Sequence, residues 1–391
     1  MPFTRDRYTW LAYFMLGYFA YIMAALGPLM PFLRAELNLS YTIAGLHVTV
    51  FALGMTIAGA LTDRLAERFG RAIVFWGGGL MMAVAAFLFI NVPNEFVTIS
   101  SSFFMGMFGS FLQIMIQSTL AERYGHLRSI ALSEANFVAS LSTALVPLAI
   151  GFGESSGIGW RVALWVGIAT WVGLRFVYRH DNPPATQTRS QTTGAAPQAR
   201  PMPRIFWIYW AVIFFSVAVE WCIGFWGADF LENGVGLERV AASTLMAVFL
   251  GAMTVGRLIG SRLTRRVEAK RLLTYAGGIV MLGFPLFWLA QVPILNIIGL
   301  FISGLGIANL YPLTVSITTS VDPERSNTAS ARSSMGAGLA VLIMPQILGA
   351  IADRVGISGA FGVAAILVVC IVGLTIYGLQ AQMMQIAQSQ G

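Results

Sequence analysis

The chain reads as an all-α membrane protein, with twelve transmembrane helices arranged as two pseudo-symmetric six-helix bundles. Three observations predict this. Of its 391 residues, 57% are hydrophobic and only 10% are charged, whereas soluble globular chains run nearer a quarter charged. Twelve uncharged or nearly uncharged stretches read as long enough to cross the roughly 30 Å of hydrocarbon in a bilayer. A polar segment, residues 180–204, divides them six and six. A soluble enzyme and a nucleic-acid-binding domain are both poor readings. The net charge of +7 is scattered between apolar segments and lines no single face.

The first six spans are 9–32, 41–62, 72–91, 97–119, 130–152 and 160–178. The second six are 205–228, 240–261, 272–290, 293–318, 330–351 and 358–380. Each is read as a helix, because hydrocarbon offers backbone groups no other partner and the alternation of a membrane barrel is missing. Residues 180–204, HDNPPATQTRSQTTGAAPQARPMPR, have almost nothing to bury and read as a flexible linker. Domains are therefore expected at 1–179 and 205–391. The first apolar stretch is too long for a signal-sequence core, so no cleavable signal is expected. Cys222 and Cys370 fall inside spans, and no disulfide framework is expected.

Orientation follows from the basic residues. With the N-terminus inside, the loops on that side hold 18 of the 24: Arg5, Arg7, Arg64, Arg68, Arg71, Arg123, Arg128, Arg175, Arg179, Arg189, Arg200, Arg204, Arg262, Arg265, Arg266, Lys270, Arg271 and Arg325. The opposite loops hold Arg34, Arg161, Arg239 and Arg354, while Arg257 and Arg332 lie within spans. This bias predicts an inner (plasma) membrane protein of bacterial type, with both termini and the linker in the cytoplasm.

The halves also echo each other. Glu134 precedes Pro147 by 13 residues in span 5, and Arg332 precedes Pro345 by 13 in span 11. Span 2 leads into GALTDR from Gly59, and span 8 into SRLTRR from Ser261. Such repetition indicates a duplicated bundle with its substrate site near the midplane, between the halves.

On these residues the chain resembles a major facilitator superfamily transporter over essentially its whole length. The loop after span 2, with Gly59, Asp63, Arg64, Gly70 and Arg71, is similar to that superfamily's glycine, Asp-Arg, Gly-Arg signature, with three extra residues before the Gly-Arg end. More narrowly it resembles the fucose-permease type of sugar:proton symporters, through AVEWCIGFW (Ala218–Trp226), GRLIG from Gly256 and Tyr311-Pro312. That branch is known for proton-carrying acids in its first and fourth helices; spans 1 and 4 contain no acid. The glycine-rich motif of drug:proton antiporters is matched in VPLAIGF only at Pro147 and Gly151.

Glu220 is the sharpest candidate for chemistry. An ionised carboxylate inside an apolar span costs several kcal/mol unless paired or watered, so such residues mark function by default. It is expected to face the cavity and bind a polar solute, a proton or both; a helix-packing carboxyl is the competing reading. The resemblance implies that Asp63 faces Arg332 and that, by the duplication, Arg265 faces Glu134. Two ion-pair latches would then hold the cytoplasmic side closed while the outside is open, with Arg257 an alternative partner for Glu134. The competing use of Arg257 and Arg332 is as ligands of an organic anion.

Gln113 and Gln117 stand four apart on one helical face of span 4. With Tyr21, Trp221, Trp226 and Asn309 they offer amides for hydroxyls and rings for sugar faces; helix–helix hydrogen bonding is their other use. His47 reads as a packing residue and Asp229 as a solvated cap at the outer end of span 7. Neither a metal-ligand cluster nor a Walker or triad pattern is present, so no cofactor is expected and no catalysis. The expectation is a monomeric secondary transporter of a small, sugar-like solute, coupled to protons, working by alternating access. An organic-anion exchanger or a drug:proton exporter is the alternative.

Overall fold

The computed structural model describes residues 3–184 and 201–390, with side chains as far as residue 381. Most of the expected linker lies outside these residues. The N-terminal helices are α1 (Arg7–Leu37), α2 (Tyr41–Phe69), α3 (Arg71–Asn91), α4 (Glu95–Tyr124), α5 (Arg128–Ser155) and α6 (Val162–Val177). The C-terminal ones are α7 (Arg204–Asn233), α8 (Arg239–Leu263), α9 (Ala269–Leu289), α10 (Pro293–Val321) and α11 (Ser326–Gln390). The last is one continuous run holding two expected spans. It turns at Gly356, whose φ of 76° and ψ of 163° are open to a residue without Cβ.

The ends of the helices are written locally. Asp6 accepts from the Thr9 amide to start α1, Ser40 from Ile43 to start α2, and Asn94 from Phe96 and Val97 to start α4. Asn38 closes α1 in the left-handed region at φ 53°. Pro293 opens α10, where a missing N–H costs nothing.

Packing repeats with the chain. In the first bundle α1 lies on α5, α2 on α4 and α3 on α4; in the second α7 lies on α11, α8 on α10 and α9 on α10. The bundles meet through α1 with α7, α2 with α11, and α5 with α8. The last two pairs exchange under the internal two-fold, which is what a duplicated bundle requires. The outer helices α3, α6, α9 and the second stretch of α11 turn Ile73, Phe176, Leu282 and Ile366 outward. Large apolar side chains exposed on this scale fit a surface solvated by acyl chains.

Candidate functional site: a cavity at the seam of the bundles

The seam is closed at one end. On the far side, opposite the side where α1 begins, Arg34 of α1 forms an ion pair with Asp229 of α7. Asp229 is fully buried, and the Arg34 guanidinium lies 3.5 Å from the Tyr41 ring centroid. Asp353 of α11 caps α2 from across the seam, accepting from the Tyr41 amide at 2.7 Å and the Thr42 amide at 2.8 Å. Ser243 donates to the Pro28 carbonyl at 2.6 Å, and Gln346 to that of Thr42 at 3.1 Å. Deeper in, Thr49 donates to the Leu342 carbonyl. Gly27 lets α1 approach α7 so closely that a Cβ there would lie 2.1 Å from the Gly224 carbonyl oxygen.

These bonds stop at a cavity of about 130 Å³. Its walls come from α1 (Met23, Ala24, Gly27), α5 (Ser140, Thr143), α7 (Glu220, Trp221, Gly224, Phe225) and α8 (Phe249, Met253, Thr254, Arg257). Arg257 Nη2 stands 3.6 Å from Glu220 Oε1, and Arg257 Nη1 donates to Ser140 Oγ at 2.9 Å, across the seam. Glu220 retains 24% side-chain exposure and Arg257 47%, so water reaches both. The hydroxyls are committed elsewhere: Thr143 donates to the Ser140 carbonyl at 2.7 Å, and Thr254 to that of Leu250 at 3.0 Å. Among bonds between described residues, none crosses from bundle to bundle beyond Arg257 toward the basic side.

Why Arg257 and Glu220 meet follows from helix geometry. Every Cα–Cβ bond tilts toward its helix N-terminus. α7 begins on the basic side and α8 on the far side, so the two side chains lean toward each other. Arg257, expected as a gate residue and alternative partner for Glu134, runs back into the cavity in this conformation. Arg332, on a helix that begins on the basic side, leans away from the middle and lies over the Trp207 ring at 5.7 Å. It is not among the cavity's lining residues, so the two arginines do not form one anion site in this conformation.

The other expected residues divide as follows. Trp221 lines the cavity beside Glu220. Gln113 and Gln117 are half-buried on α4 and not among the lining residues. Tyr21 packs toward Gly167 of α6, Trp226 is buried and donates to the Pro345 carbonyl at 2.8 Å, and Asn309 donates to that of Gly256 at 2.8 Å. In this conformation the last two donate to carbonyls of neighbouring helices, and neither is among the cavity's lining residues. Asp229, expected as a solvated cap, is instead the buried half of the far-side ion pair. His47 is buried, within hydrogen-bond distance of the Ala44 carbonyl and of Thr98 Oγ1, as a packing residue would be.

Of the gate residues, Glu134 is held by Arg5 in a two-toothed pair, at 2.5 and 2.7 Å, and accepts from Tyr13 at 3.1 Å. Asp63 and Arg265 are exposed on the basic side. Neither Asp63–Arg332 nor Glu134–Arg265 is an ion pair in this conformation, whose far side is the closed one. Reading the sequence missed Ser140, Thr143 and Thr254. Their signal was spacing: Ser140 with Thr143, and Thr254 with Arg257, each stand three apart and so share a helix face.

Comparison with known proteins extends the geometry. The family model described as Major Facilitator Superfamily matches residues 9–329. An uncharacterized MFS-type transporter of Yersinia pestis is 24% identical over 93% of each chain. A probable sulfoacetate transporter of Cupriavidus necator is 25% identical over 86% of each. Among solved structures, a D-xylose–proton symporter superposes with a TM-score of 0.76 at 15% identity, covering 95% of this chain and 96% of that one.

Proposed function

We propose, from the premise that the chain belongs to the Major Facilitator Superfamily, that it moves a small polar solute together with a proton, by alternating access. The membrane is read as an inner membrane, with the basic side cytoplasmic. The observation that carries the proton is Glu220: a carboxyl at the seam, in a cavity otherwise largely apolar, with one cation beside it and water within reach. Its charge is sustained by Arg257, so any event that occupies Arg257 favours a proton on Glu220, and the reverse. The structure then corresponds to a state sealed from the outside, from which cargo leaves toward the cytoplasm. Rocking the bundles would break the far-side bonds and bring the basic-side charges together, Asp63 to Arg332 and Glu134 to Arg265.

A sugar is not favoured over other small solutes, because the amides expected to recognise hydroxyls are not among the cavity's lining residues. The test is proton movement in proteoliposomes enclosing a pH dye. Adding D-xylose or methanesulfonate outside, with protein-free vesicles as the control, should acidify the lumen with at least one of them. Glu220→Gln should abolish that acidification. Flux that keeps its full pH dependence in Glu220→Gln would remove Glu220 from the coupling role.

A further inference from the structure

The cavity is poor in the groups a neutral polyol needs. Its threonine hydroxyls already donate to backbone carbonyls, and the Ser140 hydroxyl oxygen accepts from Arg257. Much of the remaining wall is Met23, Ala24, Leu26, Phe225, Phe249, Leu250 and Met253 with the Trp221 ring. Of the described lining groups with spare capacity, the Arg257 guanidinium is the one cation; it is half-exposed and held from Glu220 at 3.6 Å, longer than a hydrogen bond. A guanidinium offers five N–H donors in a planar fork that matches a carboxylate or a sulfonate.

We infer that the solute is a small organic anion with an apolar body, whose charged head replaces the Glu220 carboxylate on Arg257 when Glu220 takes up a proton. This rests on the coupling role proposed for Glu220. The charges balance: an empty site holds one cation and one carboxylate, and a loaded site holds one cation, one bound anion and a neutral carboxylic acid. One anion and one proton cross together, and no net charge moves. In an apolar cavity that balance matters, because a second unpaired charge there would cost several kcal/mol.

Among the described residues no other charge lines the cavity. Of the helices packed on α7, α1 faces Glu220 with Met23, Ala24 and Gly27, and its Arg34 is engaged with Asp229 at the far end. α10 has no charged residue between Pro293 and Val321. On α11, Arg332 lies over Trp207 and Asp353 caps α2. On α8 the neighbouring charge is Arg257 itself; across the seam α5 contributes Ser140 and Thr143, its Glu134 being bound to Arg5. On α7 itself, Cys222 is buried and Asp229 is paired with Arg34.

The experiment is thermal unfolding of the purified full chain in detergent, at about pH 5.5 and 7.5, since a ligand of the folded state raises the midpoint by mass action. The probes are methanesulfonate, which stays ionised at both values, propionate and D-xylose, with sodium chloride matching ionic strength. Both anions should raise the midpoint, more at the lower pH, and xylose should not. Arg257→Gln should weaken anion binding at least about tenfold, the loss expected for one charge-assisted hydrogen bond. Arg257→Lys, which keeps the charge but loses the fork, should retain weak binding and guards against a folding defect in the glutamine variant. Glu220→Gln should bind methanesulfonate equally at both pH values. Stabilisation by xylose and not by the anions, with its pH dependence lost in Glu220→Gln, would overturn the anion and leave the coupling role standing. Anion binding whose pH dependence survives Glu220→Gln would overturn the coupling role instead, and with it the displacement step. Undiminished anion binding by Arg257→Gln would also overturn the inference.

Discussion

Replacing Asp229 by asparagine should unlatch the far side. Asp229 is fully buried and the Arg34 side chain 16% exposed, so the substitution leaves a guanidinium desolvated without its counter-charge. Removing one partner of a buried pair costs about 3–5 kcal/mol. Arg34 lies 3.5 Å from the Tyr41 ring centroid with or without the carboxylate, so this cation–π contact cancels in the difference. The closed state should therefore lose roughly 3–5 kcal/mol against a far-side-open state in which water reaches Arg34, a shift of about 150- to 5,000-fold in their ratio. Spin labels on cysteines at Ala35 and Glu238, with Cys222 and Cys370 replaced, would report the separation of the bundles there. Both sites are exposed and on opposite bundles. The Asp229→Asn distribution should move to longer distances, and the double change Asp229→Asn with Arg34→Gln should move back toward wild type, since no bare charge remains. An unchanged distribution in the single variant, in protein that folds, would refute the assignment of this pair as what holds the far side closed.

Three further expectations follow from the same contacts. Gly27→Ala would place a methyl 2.1 Å from the Gly224 carbonyl oxygen and 3.0 Å from Phe225 Cα, both backbone atoms that cannot swing aside. It should keep the labelled ends apart and stop transport, while Gly77→Ala, with nothing within 4 Å, should be silent in both measurements. Asp353 sits outside the spans; burial acts to raise its pKa, and the donors of Thr42, Tyr41 and Ser40 outweigh this and hold it below the ordinary carboxylate value. A depressed value means its contribution is present above the ordinary range and fades only as pH falls through the depressed one. Asp353→Ala should thus loosen the far side by about 1 kcal/mol, as loss of a helix cap does, and equally at about pH 5 and pH 8 in the label distances. Finally, Glu134→Arg and Arg265→Glu should each slow proton-coupled flux and together restore it. Both sites are partly or fully exposed, so melting temperature should shift by less than about 1 kcal/mol allows. A double variant as slow as the singles would remove the second latch.

The architecture was legible in the sequence because its cause is one-dimensional. A bilayer demands uncharged runs of fixed length, and arginines in the loops mark one side, so span ends such as 41–62 and 293–318 fall inside α2 and α10. The site was only half legible. Glu220 stood out because a carboxylate in an apolar run has few explanations, and Trp221 came with it as its neighbour. The place of Arg257 in the cavity was not legible because sequence position locates a Cα, whereas a long side chain can reach a full helical turn toward its helix N-terminus. Asp229 looked solvated because its partner, Arg34, is 195 positions away and on the other bundle. Trp226 and Asn309 illustrate the converse: a polar side chain in a span looks the same whether it faces a solute or the carbonyl of the next helix.

Glu220 and Arg257 belong to the same bundle, on α7 and α8, and among the described residues only the Ser140 hydroxyl bonds Arg257 from the other. Under the proposed mechanism, the pair would be carried along intact when the halves tilt. An unloaded carrier would then turn round after giving up its cargo without separating opposite charges in oil, and that free homeward stroke would distinguish one-way accumulation from obligatory swapping.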